Sequence, residues 1–268
     1  GGWIGSPVAD GSDLSVLFLH NDGFSTMCGH GIIAMGKVLI ETGMIDAVEP
    51  ETSIVIDTPA GTVRAVSSVR SGTVSATRFR NVPSFVADLD ASVEVEGLGP
   101  VRYDLAFGGA FYALVNATDI GVSLDDAAGL ADAGRRVKRA VTESRDIAHP
   151  DHPDLGFLYG VIFTGPAESP SNHSRNVCVF ADGEIDRSPT GTGVSCRLAV
   201  MSARGEIGVD EEITIESIVG STFTGRIVER SDSPATIVPE VSGTAHITGR
   251  SEYWLDPEDD LGGGFLLR

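Results

Sequence analysis

The sequence predicts a protein of the α+β class with two related halves, each built from many short strands and one buried helix. Three observations carry this prediction. Glycine makes up 33 of the 268 residues, about 12% against a usual share of about 7%, and it interrupts short runs of β-branched residues. Two helical segments are apolar around most of their circumference, which is typical of buried helices. The residues that lead into these two helices match each other, which indicates a duplicated unit.

The strands are predicted from β-rich runs separated by glycine-containing turns. They cover 53–57, 62–66, 74–79, 101–105, 111–115, 159–163, 176–180, 213–218, 223–228 and 245–248. A surface helix is predicted over 124–147, because Leu130, Ala133, Val137 and Val141 recur at helical spacing. The basic residues between them fit the solvated face of an amphipathic helix better than an anion site.

The two buried helices are predicted over 31–42 and 193–204. Cys28-Gly29-His30-Gly31 leads into the first, and Thr190-Gly191-Thr192-Gly193 aligns with it at the start of the second. A glycine suited to a C-terminal cap follows each helix. The alignment predicts two related helix starts that face one cleft.

Composition and charge exclude several classes of protein. Acidic residues outnumber basic ones 38 to 19, and the resulting net charge of -19 argues against nucleic-acid and membrane partners. No apolar run reaches the 18 or so residues of a spanning helix. The first basic residue is Lys37, so the start of the chain does not resemble a signal peptide. Three scattered cysteines do not make a disulfide framework. We therefore expect a cytoplasmic location.

The helix starts permit a specific chemistry. The first N–H groups of a helix lack intrahelical partners, so two facing starts can hold a carboxylate. A cysteine at such a position has a stabilised thiolate and can act as a base, and Cys28 meets this description. Cys178 and Cys196 instead fit the ordinary role of small buried hydrophobes. Thr190 occupies the position that aligns with Cys28, but its hydroxyl is too weakly acidic to be a comparable base.

Other interpretations of the same residues are less favoured. His20, Cys28 and His30 could be metal ligands, but their spacing matches no common site, and no metal is expected. The glycine-rich loops lack the lysine of a phosphate-binding P-loop. Asp186 can cap backbone groups or pair with Arg187, or it can receive a substrate ammonium.

Several motifs spread over most of the chain carry a resemblance to a known family. They cover 18–31, 81–85, 107–112, 186–193, 216–221, 248–250 and 255–257. Together they resemble the proline racemase family, which shares the diaminopimelate epimerase-type fold. The resemblance implies two pseudo-symmetric β-rich domains, each wrapping a central helix, with the active site in the cleft between them. Residues 1–90 with 250–268 would form the domain that carries Cys28, and 91–249 the domain that carries Thr190. Family members usually have several dozen residues before this starting point, so we expect an N-terminal segment to be missing.

The resemblance also implies an activity and a set of roles. Racemases of this family use two cysteines on opposite faces of the substrate α-carbon. Cys28 matches the first, whereas Thr190 replaces the second, as in the branch that resembles dehydratases of trans-3-hydroxy-L-proline. Such a hydro-lyase would form pyrroline-2-carboxylate from a small cyclic amino acid, without a cofactor and as a homodimer. By similarity, the substrate carboxylate would be bound by Gly29, His30, Gly191 and Thr192. The ring ammonium would be bound by Asp186 and His30. Phe180 would pack against the ring.

Three questions remain open at this stage. The activity could instead be that of a proline racemase or a 4-hydroxyproline epimerase. The chain could also be a non-catalytic amino-acid-binding protein, although binding alone needs no thiolate. The leaving hydroxyl could be protonated by Cys28, by Thr190 through a water, or by His30.

Overall fold

The structure is a computed structural model that describes residues 1–20 and 23–264; Asn21 and Asp22 of the first quoted motif lie outside the described residues. The described part has an α+β architecture with one mixed sheet and three α-helices. The helices are α1 (Gly29–Glu41), α2 (Ala127–Ser144) and α3 (Gly191–Arg204). The strands are β1 (Gly2–Gly5), β2 (Leu14–His20), β3 (Gly23–Ser25), β4 (Glu51–Thr58), β5 (Gly61–Arg70), β6 (Thr73–Arg80), β7 (Phe85–Val95), β8 (Gly99–Phe107), β9 (Phe111–Asn116), β10 (Leu158–Gly165), β11 (Ser174–Phe180), β12 (Glu184–Ile185), β13 (Glu212–Glu216), β14 (Thr222–Asp232) and β15 (Ala235–Gly243).

The strands form one continuous ladder in the order β1-β2-β4-β5-β6-β15-β14-β13-β11-β10-β9-β8-β7. Most neighbours are antiparallel, and β2/β4, β9/β10 and β11/β13 are parallel. The last strand, β15, lies in the middle of this order. Its Val241 is opposite Phe79 of β6 on one edge and opposite Gly225 of β14 on the other. This strand therefore joins the early strands to the late ones.

The sheet packs against α1 and α3. Helix α1 contacts β5, β6 and β15, and α3 contacts β7, β8, β14 and β15. Ile32, Ile33 and Leu39 of α1 are almost fully buried. Burying a side chain of this size contributes about 1.5–3 kcal/mol, which explains why segments with several helix-weakening glycines are nevertheless helical. The apolar circumference seen in the sequence corresponds to these buried surfaces.

The surface helix and one strand illustrate the outcome of the local predictions. Helix α2 is confirmed, and it begins where the Asp126 side chain accepts a hydrogen bond from the Gly129 N–H. Its basic face makes ion pairs, such as Arg136 with Asp132. The strand predicted over 245–248 is wrong, because β15 ends at Gly243 and these residues have no partner strand in the described part of the chain. Within the described residues, no helix has the length and apolarity needed to cross a bilayer.

Candidate active site

The starts of α1 and α3 touch each other through two glycines. A Cβ placed on Gly29 would lie 2.5 Å from the Gly191 Cα, and one placed on Gly191 would lie 2.7 Å from the Gly29 Cα. Both positions also face the Phe79 ring. Real Cβ atoms do not approach so closely, so glycine is required on both sides. The facing helix starts that the repeat predicted are therefore present.

Cys28 and Thr190 are the N-cap residues of these helices. Cys28 has an extended backbone, whereas Thr190 has a φ of 65°, which is rare for a β-branched residue. Neither side chain caps its helix, and neither first turn contains an acidic residue. The leading N–H groups and the positive ends of both helix dipoles are thus suited to an anion between them.

One cavity lies at this junction. All eight residues that the sequence analysis selected line it: Cys28, Gly29, His30, Phe180, Asp186, Thr190, Gly191 and Thr192. Four residues that the sequence analysis did not select line it as well: Met27, Tyr112, Tyr159 and Cys178. Tyr112, Tyr159 and Cys178 come from three different strands. Tyr112 ends the motif at 107–112, whereas no motif marks Tyr159 or Cys178.

Asp186 connects the two helix starts. Its Oδ2 accepts hydrogen bonds from His30 Nδ1 at 3.0 Å and from the Thr190 hydroxyl at 2.9 Å, and its Oδ1 accepts one from the Ser188 N–H at 2.8 Å. Burial alone would raise the pKa of Asp186, but the His30 ring beside it outweighs this effect and the pKa is lowered. Asp186 is therefore a carboxylate, and it both caps backbone and faces the cavity.

His30 lies beside Asp186 and Cys28. Burial acts to lower its pKa, but the negative charge of Cys28 and the hydrogen bonds that the ring donates to Asp186 and Cys28 raise it to about 11. Its side chain remains 48% exposed, so the ring borders both the cavity and solvent. The raised pKa favours the protonated ring, which donates from Nδ1 to Asp186 Oδ2.

Aromatic rings form the apolar wall of the cavity. Tyr159 and Phe180 are stacked with ring centroids 5.7 Å apart. The Tyr112 hydroxyl is 2.8 Å from the Thr192 hydroxyl, and burial raises the pKa of Tyr112. These rings give the cavity an apolar surface suited to a small carbon ring.

The other two cysteines are fully buried. Burial raises the pKa of both thiols, and Cys196 donates to the Ala106 carbonyl at 3.3 Å. The Cys178 side chain also lines the cavity. No group of three His, Cys, Asp or Glu among the described residues is arranged to hold a metal ion.

Asn81 holds the start of α3 through a network of buried hydrogen bonds. Its Nδ2 donates to the Gly108 carbonyl at 2.7 Å and to the Ser195 hydroxyl at 2.8 Å, and its Oδ1 accepts from the Val82 N–H. Ser195 in turn donates to the Gly191 carbonyl at 3.0 Å. The motifs at 81–85 and 107–112 therefore hold the helix start in place.

The fold and the junction of helix starts define a class of protein. The structure of a hydroxyproline epimerase from Agrobacterium vitis, with bound trans-4-hydroxy-L-proline, superposes with a TM-score of 0.94 at 32% identity. That match covers 99% of this chain and 77% of the epimerase. The chain has this proline racemase-like α+β fold.

The sequence comparison gives the family. The Proline racemase family profile matches residues 1–266, and the chain belongs to the proline racemase family. A trans-3-hydroxy-L-proline dehydratase from Colwellia psychrerythraea is 44% identical over 97% of this chain and 74% of its own length. A 4-hydroxyproline 2-epimerase from Streptosporangium roseum is 43% identical over 97% of this chain and 79% of its own length.

Proposed function

We propose that the chain is a hydro-lyase that dehydrates trans-3-hydroxy-L-proline to pyrroline-2-carboxylate. The observation that carries the proposal is the asymmetric pair of N-cap residues, with the Cys28 thiol and the Thr190 hydroxyl lining one cavity. One side has a competent base and the other does not, which favours removal of an α-proton over inversion. Relatives named as dehydratases of this substrate, at 39–44% identity, support the proposal.

The helix starts supply the electrostatic part of the mechanism. The substrate carboxylate lies against N–H groups near Gly29, His30, Gly191 and Thr192. When the α-proton leaves, negative charge spreads onto the carboxylate oxygens as an enediolate. Fixed N–H dipoles aimed at developing charge are usually the largest catalytic contribution, so the same groups bind the substrate and stabilise the intermediate.

The side chains supply proton transfer and orientation. Cys28 thiolate abstracts the α-proton, Asp186 receives the ring ammonium, and Phe180 packs against the ring. Loss of the 3-hydroxyl gives an enamine, which tautomerises to pyrroline-2-carboxylate. The proposal needs no cofactor, and it retains the expectations of a homodimer and a cytoplasmic location.

The division into two related halves belongs to the same proposal. Residues 1–90 with 250–268 would carry Cys28, and 91–249 would carry Thr190, in the pseudo-symmetric arrangement of the diaminopimelate epimerase type. The matched contact of Gly29 with Gly191 supports this arrangement, because each glycine meets the other in the same way.

A second candidate is an epimerase of 4-hydroxyproline or a racemase of proline. The 43% identity to a 4-hydroxyproline 2-epimerase favours it. Such an enzyme would need a proton donor on the Thr190 side, where the hydroxyl already donates to Asp186. We therefore place it second.

Three substrates separate these functions. Purified protein is incubated with trans-3-hydroxy-L-proline, L-proline and trans-4-hydroxy-L-proline, and both imine formation and optical rotation are followed. Dehydration predicts imine from the first substrate alone. A change of rotation with either of the others, without imine from the first, would replace the proposal with epimerisation, and no reaction with any would indicate a binding protein.

Two substitutions test the asymmetric pair. Cys28→Ser should lower imine formation at least about 10³-fold, because an alcohol is a far weaker base than a thiolate. Cys196→Ser is the matched control, since that thiol donates to the Ala106 and Ala110 carbonyls in the core, and it should retain the activity. Thr190→Cys should introduce racemisation, and its failure to do so would count against the two-sided mechanism.

A further inference from the structure

We propose that His30 is the general acid that protonates the departing 3-hydroxyl, on the same side of the ring from which Cys28 removes the α-proton. This inference deepens the proposed function and depends on it. It rests on the stereochemistry of the substrate and on the hydrogen bonds around Asp186.

The configuration of the substrate restricts where the acid can be. In trans-3-hydroxy-L-proline the hydroxyl and the carboxylate are on opposite faces of the ring. The hydrogen on the α-carbon is opposite the carboxylate, so this hydrogen and the hydroxyl share a face. The elimination is therefore syn, and the acid must approach from the Cys28 side.

Thr190 is poorly placed for this role. It begins the opposite helix, and its hydroxyl proton is donated to Asp186 Oδ2 at 2.9 Å. Donating that proton to the substrate would leave an alkoxide beside a carboxylate, which is electrostatically costly. The acid must then be Cys28 itself or a neighbour of Cys28.

His30 is that neighbour. Asp186 lies 3.0 Å from its Nδ1, and the Ser188 hydroxyl lies 3.3 Å from the same nitrogen. An imidazolium carries a proton on each ring nitrogen, so Nε2–H is left for the Cys28 thiolate or the substrate. The raised pKa of His30 keeps this proton in place at neutral pH. A protonated ring cannot accept a hydrogen bond from the substrate ammonium, which leaves Asp186 as its acceptor.

Cys28 and His30 together account for every proton that is transferred. Cys28 Sγ forms an S–H bond to the α-proton, and the electrons of the broken C–H bond enter the enediolate. These electrons then form the double bond between the α- and β-carbons while the C–O bond breaks. The departing oxygen keeps its electron pair, takes the His30 proton and leaves as water. One transfer from the Cys28 thiol to neutral His30 restores the starting ion pair.

The test compares two leaving groups in the His30→Gln variant. Trans-3-hydroxy-L-proline loses hydroxide, which needs an acid, whereas trans-3-chloro-L-proline loses chloride, which does not. For the variant we expect kcat with the hydroxyl substrate to fall about 10²–10⁴-fold further than the rate of chloride release, which is the usual contribution of a general acid; any effect on Cys28 or on binding lowers both rates alike. His173→Gln is the control, because that ring is hydrogen-bonded to the neighbouring Ser174 hydroxyl and lies outside the cavity.

The possible results are distinct. Wild-type dehydration by His30→Gln would overturn the acid role. An equal loss with both substrates would also overturn it, because His30 would then act by activating Cys28 or by binding. If the wild-type protein releases no water from trans-3-hydroxy-L-proline, the proposed function itself fails.

A second substrate tests the shared face independently. In cis-3-hydroxy-L-proline the hydroxyl points away from the α-hydrogen, toward the Thr190 side. We expect this isomer to be dehydrated at least about 10²-fold more slowly by the wild-type protein. Equal rates for the two isomers would overturn the inference.

Discussion

Replacing Gly29 with alanine tests whether the cavity depends on backbone contact between the two helix starts. The new Cβ would lie 2.5 Å from the Gly191 Cα, whereas ordinary contact begins at 3.4 Å, so the helix starts must separate by about 0.9 Å. The Phe79 ring, 3.0 Å away on the neighbouring side, blocks a simple sideways shift.

The expected magnitudes differ for stability and activity. Overpacking of this kind costs about 1–3 kcal/mol, and alanine recovers up to about 1 kcal/mol through its better helix propensity. The free energy of unfolding should therefore fall by about 0–3 kcal/mol. A displacement of about 1 Å in a catalytic site costs on the order of 10²-fold, so kcat/KM for trans-3-hydroxy-L-proline should fall by about that factor.

The assay pairs urea unfolding with imine formation. Gly36→Ala is the matched control, because Gly36 lies in the same helix as Gly29 but away from the cavity. Its new Cβ would lie 2.5 Å from Thr77 Oγ1 and 2.6 Å from Ser67 Oγ. This control should lose comparable stability and keep kcat/KM near the wild-type value. If Gly29→Ala is folded and as active as the wild type, the contact between helix starts is not what shapes the site.

Three further predictions concern charge and buried hydrogen bonds. In an NMR titration, the His30 ring should have a pKa near 11. Cys28→Ser should lower this pKa, because the ring loses a negatively charged neighbour. An unchanged pKa in the variant would contradict the ion pair between His30 and Cys28. Asn81→Leu leaves its former partners unsatisfied, and it should lower the free energy of unfolding in urea by about 2–5 kcal/mol, so a loss below about 1 kcal/mol would contradict the supporting role. Asp57 accepts several hydrogen bonds, the most important from the Ala9 N–H, and these lower its pKa from 3.8 to about 2. Ionised Asp57 therefore contributes its full stabilisation above pH 3.8, and this contribution is lost as the pH falls through 2. The difference in unfolding free energy between the wild type and Asp57→Asn should shrink over that interval, and a difference independent of pH would refute this assignment.

The sequence was most informative where chemistry and backbone geometry coincide. The glycine-rich starts of α1 and α3 could be recognised because few residues other than glycine allow such an approach. Both helices begin two residues earlier than predicted, at Gly29 and Gly191, because packing between them compensates for the low helix propensity of glycine.

The rest of the cavity depends on long-range pairing that no local pattern encodes. Tyr112 is opposite Gly160 in the parallel pair β9/β10, and this register brings Tyr159 near it. Strand β15 was missed as well, although a strand was expected just after it at 245–248. A strand exists only where a neighbour pairs with it, and β6 and β14 supply neighbours up to Gly243.

The central position of β15 has a consequence for how the protein comes apart on heating. Strand β15 pairs with β6 on one side of the ladder and with β14 on the other. If either side unfolds, the other side is left with an unpaired strand edge. We expect calorimetry to record one cooperative peak, with van't Hoff and calorimetric enthalpies in agreement. Two separate peaks would mean that the sides are thermodynamically independent despite their common strand.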